Sequence, residues 1–275
     1  MIEKLPFANP IPETKIAIDA AQSAAEAVVK IYNKDFSVSH KENNEPITAA
    51  DLESNKIIEK YMAQSEFPIL SEESSDIKEK RLESKKIWIV DPLDGTTDFV
   101  NKTGEFTIMI SLVEENKPVL GVISHPTENK LFVAQKDQGA YMYNNLEWKK
   151  LVVSNTSVLS QCRVVGSRFH QSEYEKFFLN SLGILKFTSK GSSLKVLDIC
   201  SAKAEIYFTT TNKIKHWDTC ASNCLIAEAG GKMTDMSGQS LKYNTENVVH
   251  QNGILVTNNI IHQNIVEKYS KFNKS

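Results

Sequence analysis

Cysteine is scarce in this chain. Cys162, Cys200, Cys220 and Cys224 are the only four in 275 residues, and they lack the dense spacing of a small disulfide scaffold. Most sit in apolar surroundings and read as buried free thiols, so a reducing, cytoplasmic setting is expected. Long apolar runs are missing too. No stretch approaches the roughly 20 residues that cross a bilayer, and the opening MIEKLPFANPIPETK has no apolar core of signal-peptide length. Membrane association is therefore not expected. Nor does one sign of charge dominate. Lys and Arg number 32 against 34 Asp and Glu, a net charge of −2, which offers no cationic face to a nucleic-acid polymer or an anionic membrane. A small anionic ligand remains open, because local charge decides that. Internal repeats and low-complexity tracts are absent.

What is present is ordinary for a globular protein: 41% hydrophobic and 24% charged residues, in a chain long enough for one large domain or two joined lobes. Residues 12–34 carry Ile, Ala and Val at helical spacing after Pro12 and predict a helix. Residues 49–64 predict a second, opened by Thr48. Short strands separated by turn residues follow: FPILS, KIWIV, FTIMISLVEE, KPVLGVISHP, KLFVAQ and GAYMYNN, an antiparallel sheet across roughly residues 87–145. Beyond residue 150 strands and helices alternate, which argues for an α/β lobe. Residues 1–150 and 151–275 are the expected lobes.

The chemistry concentrates in WIVDPLDGTTDF, residues 88 to 99. Asp91 ends an apolar strand, Pro92 forces it into an extended conformation, and Gly95 permits a tight turn into a short helix at TTDF. Asp91 and Asp94 thus share one tight loop, where like charges call for a cation. A hard divalent ion such as Mg²⁺ takes carboxylates and backbone carbonyls, and the Leu93 carbonyl lies between the two acids. The N–H groups of Gly95 and Thr96 would face an anion, commonly phosphate. Taken singly, other acids have plain structural roles. Thr48-x-x-Asp51 is a capping box, Asp218 a first-turn helix acid, and Glu72 and Glu73 members of a polar loop. In the same way Ser192 caps a helix, and Lys195 and Arg168 are ordinary surface charges. His216, Cys220 and Cys224 recur every four residues, but a helix beginning near Asp218 leaves His216 outside and no fourth zinc ligand in view.

Taken jointly, these motifs resemble the magnesium-dependent, lithium-sensitive inositol monophosphatase superfamily. Glu72-Glu73, Asp91-Pro92-Leu93-Asp94-Gly95-Thr96, then Trp217-Asp218 with Ala229-Gly230-Gly231 stand in that family's order along nearly the whole chain. Within it, EPITAAD, PILSEE, DPLDGTTDFVNKTGEFTIMISLV, LGVISHP, GSSLK and HWDT are similar to the bacterial 3′(2′),5′-bisphosphate nucleotidases of the CysQ type. The resemblance implies a layered α/β/α/β/α sandwich. It implies two or three Mg²⁺ held by Glu72, Asp91, the Leu93 carbonyl, Asp94 and Asp218. Thr96 paired with Asp51 would take a proton from water, with Glu72 assisting. A small phosphorylated nucleotide, 3′-phosphoadenosine 5′-phosphate, would lie against Gly95, Thr96 and Asp218. Its 5′-phosphate would be received by Arg168, His170, Ser192, Ser193 and Lys195. Hydrolysis of inositol phosphates or fructose 1,6-bisphosphate, or silent nucleotide sensing, are the alternatives; monomer and homodimer are equally compatible. The segment YFTTTNKIKHWD departs from the Arg-Phe-Gly-Pro type of loop in relatives, and with it the route of adenine recognition.

Overall fold

Pro12, at a position that gives up no backbone hydrogen bond, opens α1 (Pro12–Tyr32), whose Ala, Ile and Val positions are buried along one face. In the computed structural model, which describes every residue except 1, 3, 42–44, 170 and 275, a short antiparallel hairpin follows, β1 (Val38–His40) and β2 (Pro46–Thr48). The hairpin carries no apolar run, and the sequence pattern gives no sign of it. Thr48 then caps α2 (Ala49–Met62) by accepting from Ala50 N, while the Asp51 carboxylate accepts from Thr48 N.

Next come β3 (Ile69–Ser71), α3 (Lys78–Glu83), β4 (Lys86–Asp94), α4 (Thr96–Val100), β5 (Thr107–Glu114), β6 (Lys117–His125), β7 (Lys130–Gln135), β8 (Gly139–Asn144) and β9 (Glu147–Lys150). Strands β3 to β9 lie side by side in chain order as a seven-stranded sheet. Only β3 runs parallel to its neighbour β4; the remaining pairs are antiparallel.

The second half supplies β10 (Arg163–Ser167), α5 (Glu173–Ser181), β11 (Lys186–Lys190), α6 (Leu194–Cys200), β12 (Ile206–Thr209), α7 (His216–Glu228), β13 (Lys232–Thr234), β14 (Ile254–Thr257) and α8 (His262–Phe272). Its five strands order as β11-β10-β12-β14-β13. Strand β13, only three residues long, is one the sequence pattern passes over.

Among the described residues, three large apolar cores lie between the layers, and a smaller fourth joins Leu70, Ile87 and Ile89 to Trp217 and Cys220 of α7. Trp88, Val90, Ile108 and Ile110 on one face of the large sheet meet Ala17, Ala21 and Ile58 of α1 and α2. Met109 and Ile123 on its other face meet Leu197 and Leu225 of α6 and α7, and with them Val165 and Val256 of the small sheet. Val164 and Leu255 on the far face of the small sheet meet Phe178 and Ile265 of α5 and α8. The period-2 alternation along β5 and β10 assigns successive residues to opposite cores. The result is the expected α/β/α/β/α order of layers.

Two expectations need correction. Strand β4 does not end at Asp91. Its ladder with β5 pairs Asp91 with Met109, breaks, and resumes at Asp94 with Thr107, so the two acids flank a bulge within the ladder. Helix α7 starts at His216, not near Asp218. Lys215 is its N-cap and bridges to Val249, and Asp218, three residues on, accepts from Lys215 N at 2.7 Å. His216, Cys220 and Cys224 do share this helix. Even so, His216 packs on Tyr243 and His250, while Cys224 Sγ points to the Ala134 carbonyl. Among the described residues no His/Cys group gathers within metal-binding reach. All four cysteines are buried and free.

Candidate active site

The bulge in β4 determines where the acids point. Asp91 Oδ1 accepts from Leu93 N at 3.0 Å, Ser54 Oγ of α2 donates to the Pro92 carbonyl at 2.7 Å, and Gly95 turns the chain at φ 90° into α4. A side chain at Gly95 would lie 3.1 Å from Ser192 Cβ and 3.2 Å from the Glu105 carbonyl. Glycine is therefore required both by its left-handed backbone and by its neighbours. Parallel pairing brings the end of β3 alongside, with Glu72 N donating to the Val90 carbonyl at 3.2 Å. Helix α7 presents Asp218, in its first turn, to the same cavity.

Among the described residues, Glu72, Asp91 and Asp218 place carboxylate oxygens within 4.8 Å of one another. Asp94 lines the same cavity of about 470 Å³, together with Leu93, Gly95 and Thr96. One of its oxygens is already engaged: Asp94 Oδ2 accepts from Ser193 N at 2.5 Å and from Thr107 Oγ1 at 3.3 Å. Burial, followed by the nearby charges of Glu72, Asp94 and Asp218, pushes the Asp91 carboxyl well above the ordinary range. Burial and then Glu72 do the same to Asp218. Burial raises Asp94 to about 6, against the opposing pull of Lys195. Acids raised in this way are short of positive charge, and oxygen donors converging from three chain-distant elements fit a hard divalent cation.

Beside this cluster, Thr96 Oγ1 donates to Asp51 Oδ1 at 3.0 Å and also lies 3.2 Å from the Leu93 carbonyl. The other Asp51 oxygen accepts from Thr48 N at 2.8 Å and Thr48 Oγ1 at 2.7 Å. Asp51 is thus both the capping acid of α2 and the partner of Thr96. Burial raises its pKa despite these bonds.

The expected second phosphate set is only partly gathered. Ser192 and Ser193 line the cavity, but Ser193 Oγ bonds Thr107 Oγ1 at 2.7 Å and its N–H is held by Asp94. The Gly191 N–H is held by Glu105 at 2.8 Å. Lys195 is buried, donates to the Ser192 carbonyl and lies over the Tyr207 ring. Arg168 pairs with Glu105 at 2.5 Å and approaches Asp98 at 3.9 Å. His170 lies outside the described residues. Sequence reasoning missed Lys41, whose ammonium donates to Glu72 at 2.9 Å and also to Glu73. It missed Glu105 as well. Neither carries a local signal, because their partners lie 31 and 86 residues away.

The inositol monophosphatase family model matches residues 10–273. A 3′(2′),5′-bisphosphate nucleotidase CysQ from Buchnera aphidicola is 38% identical over 229 residues, spanning 81% of this chain and 84% of that protein. The protein of the same name from Escherichia coli strain K12 is 34% identical over 233 residues, 81% of this chain and 90% of that one. Among solved structures, CysQ from Bacteroides thetaiotaomicron, a bacterial member of the inositol monophosphatase family, superimposes with a TM-score of 0.79. It is 28% identical and the match covers 89% of this chain and 96% of that one. An IMPase from Thermotoga maritima reaches 0.82 at 21% identity over 96% and 99% of the two chains, which speaks to the fold alone.

Proposed function

The chain belongs to the inositol monophosphatase family, and on that footing we propose that it is a magnesium-dependent 3′(2′),5′-bisphosphate nucleotidase. Its reaction would remove the 3′-phosphate of 3′-phosphoadenosine 5′-phosphate, leaving AMP and inorganic phosphate. The observation that carries this reading is the meeting of Glu72, Asp91 and Asp218 from three separate elements, next to the Thr96–Asp51 pair.

In this reading two or three Mg²⁺ are held by Glu72, Asp91, the Leu93 carbonyl, Asp94 and Asp218. When bound, magnesium supplies Lewis-acid polarisation of phosphoryl oxygens and acidifies water. The chain does the rest. Thr96 Oγ1 takes a proton from the attacking water as it passes its own to Asp51 Oδ1, along the 3.0 Å bond already in place. Thr48, donating twice to Asp51 Oδ2, keeps the acceptor oxygen turned toward Thr96. The raised pKa of Asp51 makes it a better proton acceptor than an exposed carboxylate. Gly95 and Thr96, on the cavity wall, orient the phosphoryl group through backbone N–H groups. Residues 1–150 then contribute most of the metal ligands, and residues 151–275 the nucleotide-binding elements.

The test is phosphate release, with Mg²⁺ present, from 3′-phosphoadenosine 5′-phosphate, inositol 1-phosphate and fructose 1,6-bisphosphate side by side. The nucleotide should be turned over with the highest kcat/KM, and lithium should inhibit. A preference for either sugar compound overturns the substrate; no release from any of them leaves a nucleotide-binding protein without this activity.

A further inference from the structure

The three acids that meet in the cavity come from both halves of the chain, so something must set Asp218 against Glu72 and Asp91. Backbone bonds fix where α7 begins: His216 N donates to the Val248 carbonyl and His250 N to the Ile214 carbonyl, each at 2.8 Å. They hold the chain ahead of the helix and leave the rotation of α7 about its own axis to side chains. A rotation of that kind would swing Asp218 out of the cluster.

One buried side chain meets both α7 and the large sheet. Tyr243 is fully buried. Its ring lies in the small core with Leu70 of β3, Ile87 and Ile89 of β4, and Trp217 and Cys220 of α7. Ile89 and Asp91 stand two residues apart on β4 and so share one face of that strand. The Tyr243 hydroxyl, at the end of the ring, is fully engaged with the helix. It accepts from Asn223 Nδ2 at 3.0 Å and donates to Thr219 Oγ1 at 3.2 Å. Thr219 and Asn223 are four residues apart and lie one above the other on α7, and Thr219 directly follows Asp218. Thr219 Oγ1 in turn lies 2.8 Å from Nε2 of the buried His250, closer than the His216 carbonyl at 3.4 Å. With its oxygen receiving Tyr243, the Thr219 hydroxyl gives its own hydrogen to that nitrogen. The chain Asn223–Tyr243–Thr219–His250 then has a donor for every acceptor. Phenylalanine would fill the same apolar space, and a buried hydroxyl is favourable only when its partners are in place. The network therefore admits one rotation of α7 and penalises the others.

We propose that Tyr243 is a positioning residue for the metal site. Its ring packs with β3, which leads into Glu72, and with β4, which carries Asp91; its hydroxyl sets the rotation of α7, and with it the place of Asp218. Being fully buried, it acts through the helix and touches no substrate. The inference rests on the magnesium site of the reading above.

The experiment follows Tm against Mg²⁺ concentration, without turnover, in the wild-type protein, Tyr243→Phe, Thr219→Val, the double variant and Phe178→Leu, which lies in the core between α5 and α8. Loss of the hydroxyl bond in Tyr243→Phe should raise the Mg²⁺ concentration for half-maximal Tm rise by roughly three- to tenfold. Thr219→Val removes the same bond from its other end and should raise it too. The double variant should go no further than Thr219→Val alone, because the two substitutions share one bond. The Mg²⁺ dependence of kcat should move in step, while KM for 3′-phosphoadenosine 5′-phosphate at saturating Mg²⁺ stays in place. An unchanged half-maximal concentration in Tyr243→Phe overturns the inference, as do fully additive shifts in the double variant. So does an equal shift in Phe178→Leu, which makes metal binding follow global stability. A wild-type protein whose Tm does not respond to Mg²⁺ fails the magnesium site itself, and the inference with it.

Discussion

At the scale of single residues, the site is a store of unfavourable charge. Asp91, Asp94 and Asp218 all have raised pKa values because burial, above all, disfavours their ionised forms. In the unfolded chain such carboxyls ionise near pH 4. Between there and the value of about 6 reached by Asp94, the native state holds protons that the unfolded chain has lost. Their contribution to stability is fully present below the unfolded pKa, and it is lost as pH rises through the folded one. Lys41 offsets part of the repulsion through Glu72 and Glu73, but among the described residues it forms no ion pair with Asp91 or Asp218. In the proposed reading magnesium would bind the ionised carboxylates, so its stabilising effect should grow with pH. Thermal unfolding with and without Mg²⁺ should show a clearly larger rise in Tm at about pH 7.5 than at about pH 5, with saturating metal at ~100 times its Kd contributing about 2.7 kcal/mol. An equal rise at both pH values, or a larger one at the lower, contradicts the assignment of these acids as ligands.

At the scale of elements, the bulge between Asp91 and Asp94 and the turn at Gly95 matter more than the regular ladder around them. Gly95→Ala adds a Cβ at φ 90°, 3.1 Å from Ser192 Cβ and 3.2 Å from the Glu105 carbonyl. The left-handed backbone alone costs about 1–2 kcal/mol for a residue with a Cβ. Denaturant unfolding should register at least that loss. Phosphate release should fall much further than stability does, because Thr96 follows directly and its 3.0 Å bond to Asp51 depends on the turn. Activity that falls only in step with the folded fraction would mean that the turn does not position Thr96. This loop was also the most legible part of the site: Pro92, Gly95 and the acid spacing act locally, and local chemistry is what a single sequence records. Glu72 and Asp218 were legible only through their joint fit to a family pattern, since each alone passes for a loop or helix acid. Lys41 and Glu105 were not legible, because their partners are set by tertiary packing. The start of α7 was misplaced for a related reason: its N-cap is Lys215, whose side chain is no capping signal, and the strand-like bridge of Lys215 to Val249 sets the boundary from afar.

At the scale of the whole molecule, the site exists only because α7 is pressed against the large sheet while its first turn faces the cavity. Asp218 belongs to the second half of the chain; Glu72 and Asp91 belong to the first. Helix and sheet approach closely at Gly121 of β6, where a Cβ would stand 2.5 Å from the Ala221 carbonyl and 2.9 Å from Cys224 Cβ of α7. Both obstacles belong to the helix itself rather than to a flexible side-chain tip, so any larger residue must push α7 away from the sheet. Ala221, Leu225 and Ile226 of α7 lie in the middle core that joins the two sheets, and overpacking such a core costs about 1–3 kcal/mol. Gly121→Val should therefore lower stability by that order in denaturant unfolding. It should also weaken the metal effect, because displacing α7 carries Asp218 away from Glu72 and Asp91, whereas no ligand has been replaced. The diagnostic measurement is the Mg²⁺ concentration giving half-maximal Tm rise, which should shift upward in Gly121→Val. A variant equally destabilised by a core substitution between α5 and α8, such as Phe178→Leu, lies in a different core from α7 and should leave that concentration unchanged. If both variants shift it alike, metal binding tracks global stability and α7 has no special part in assembling the site.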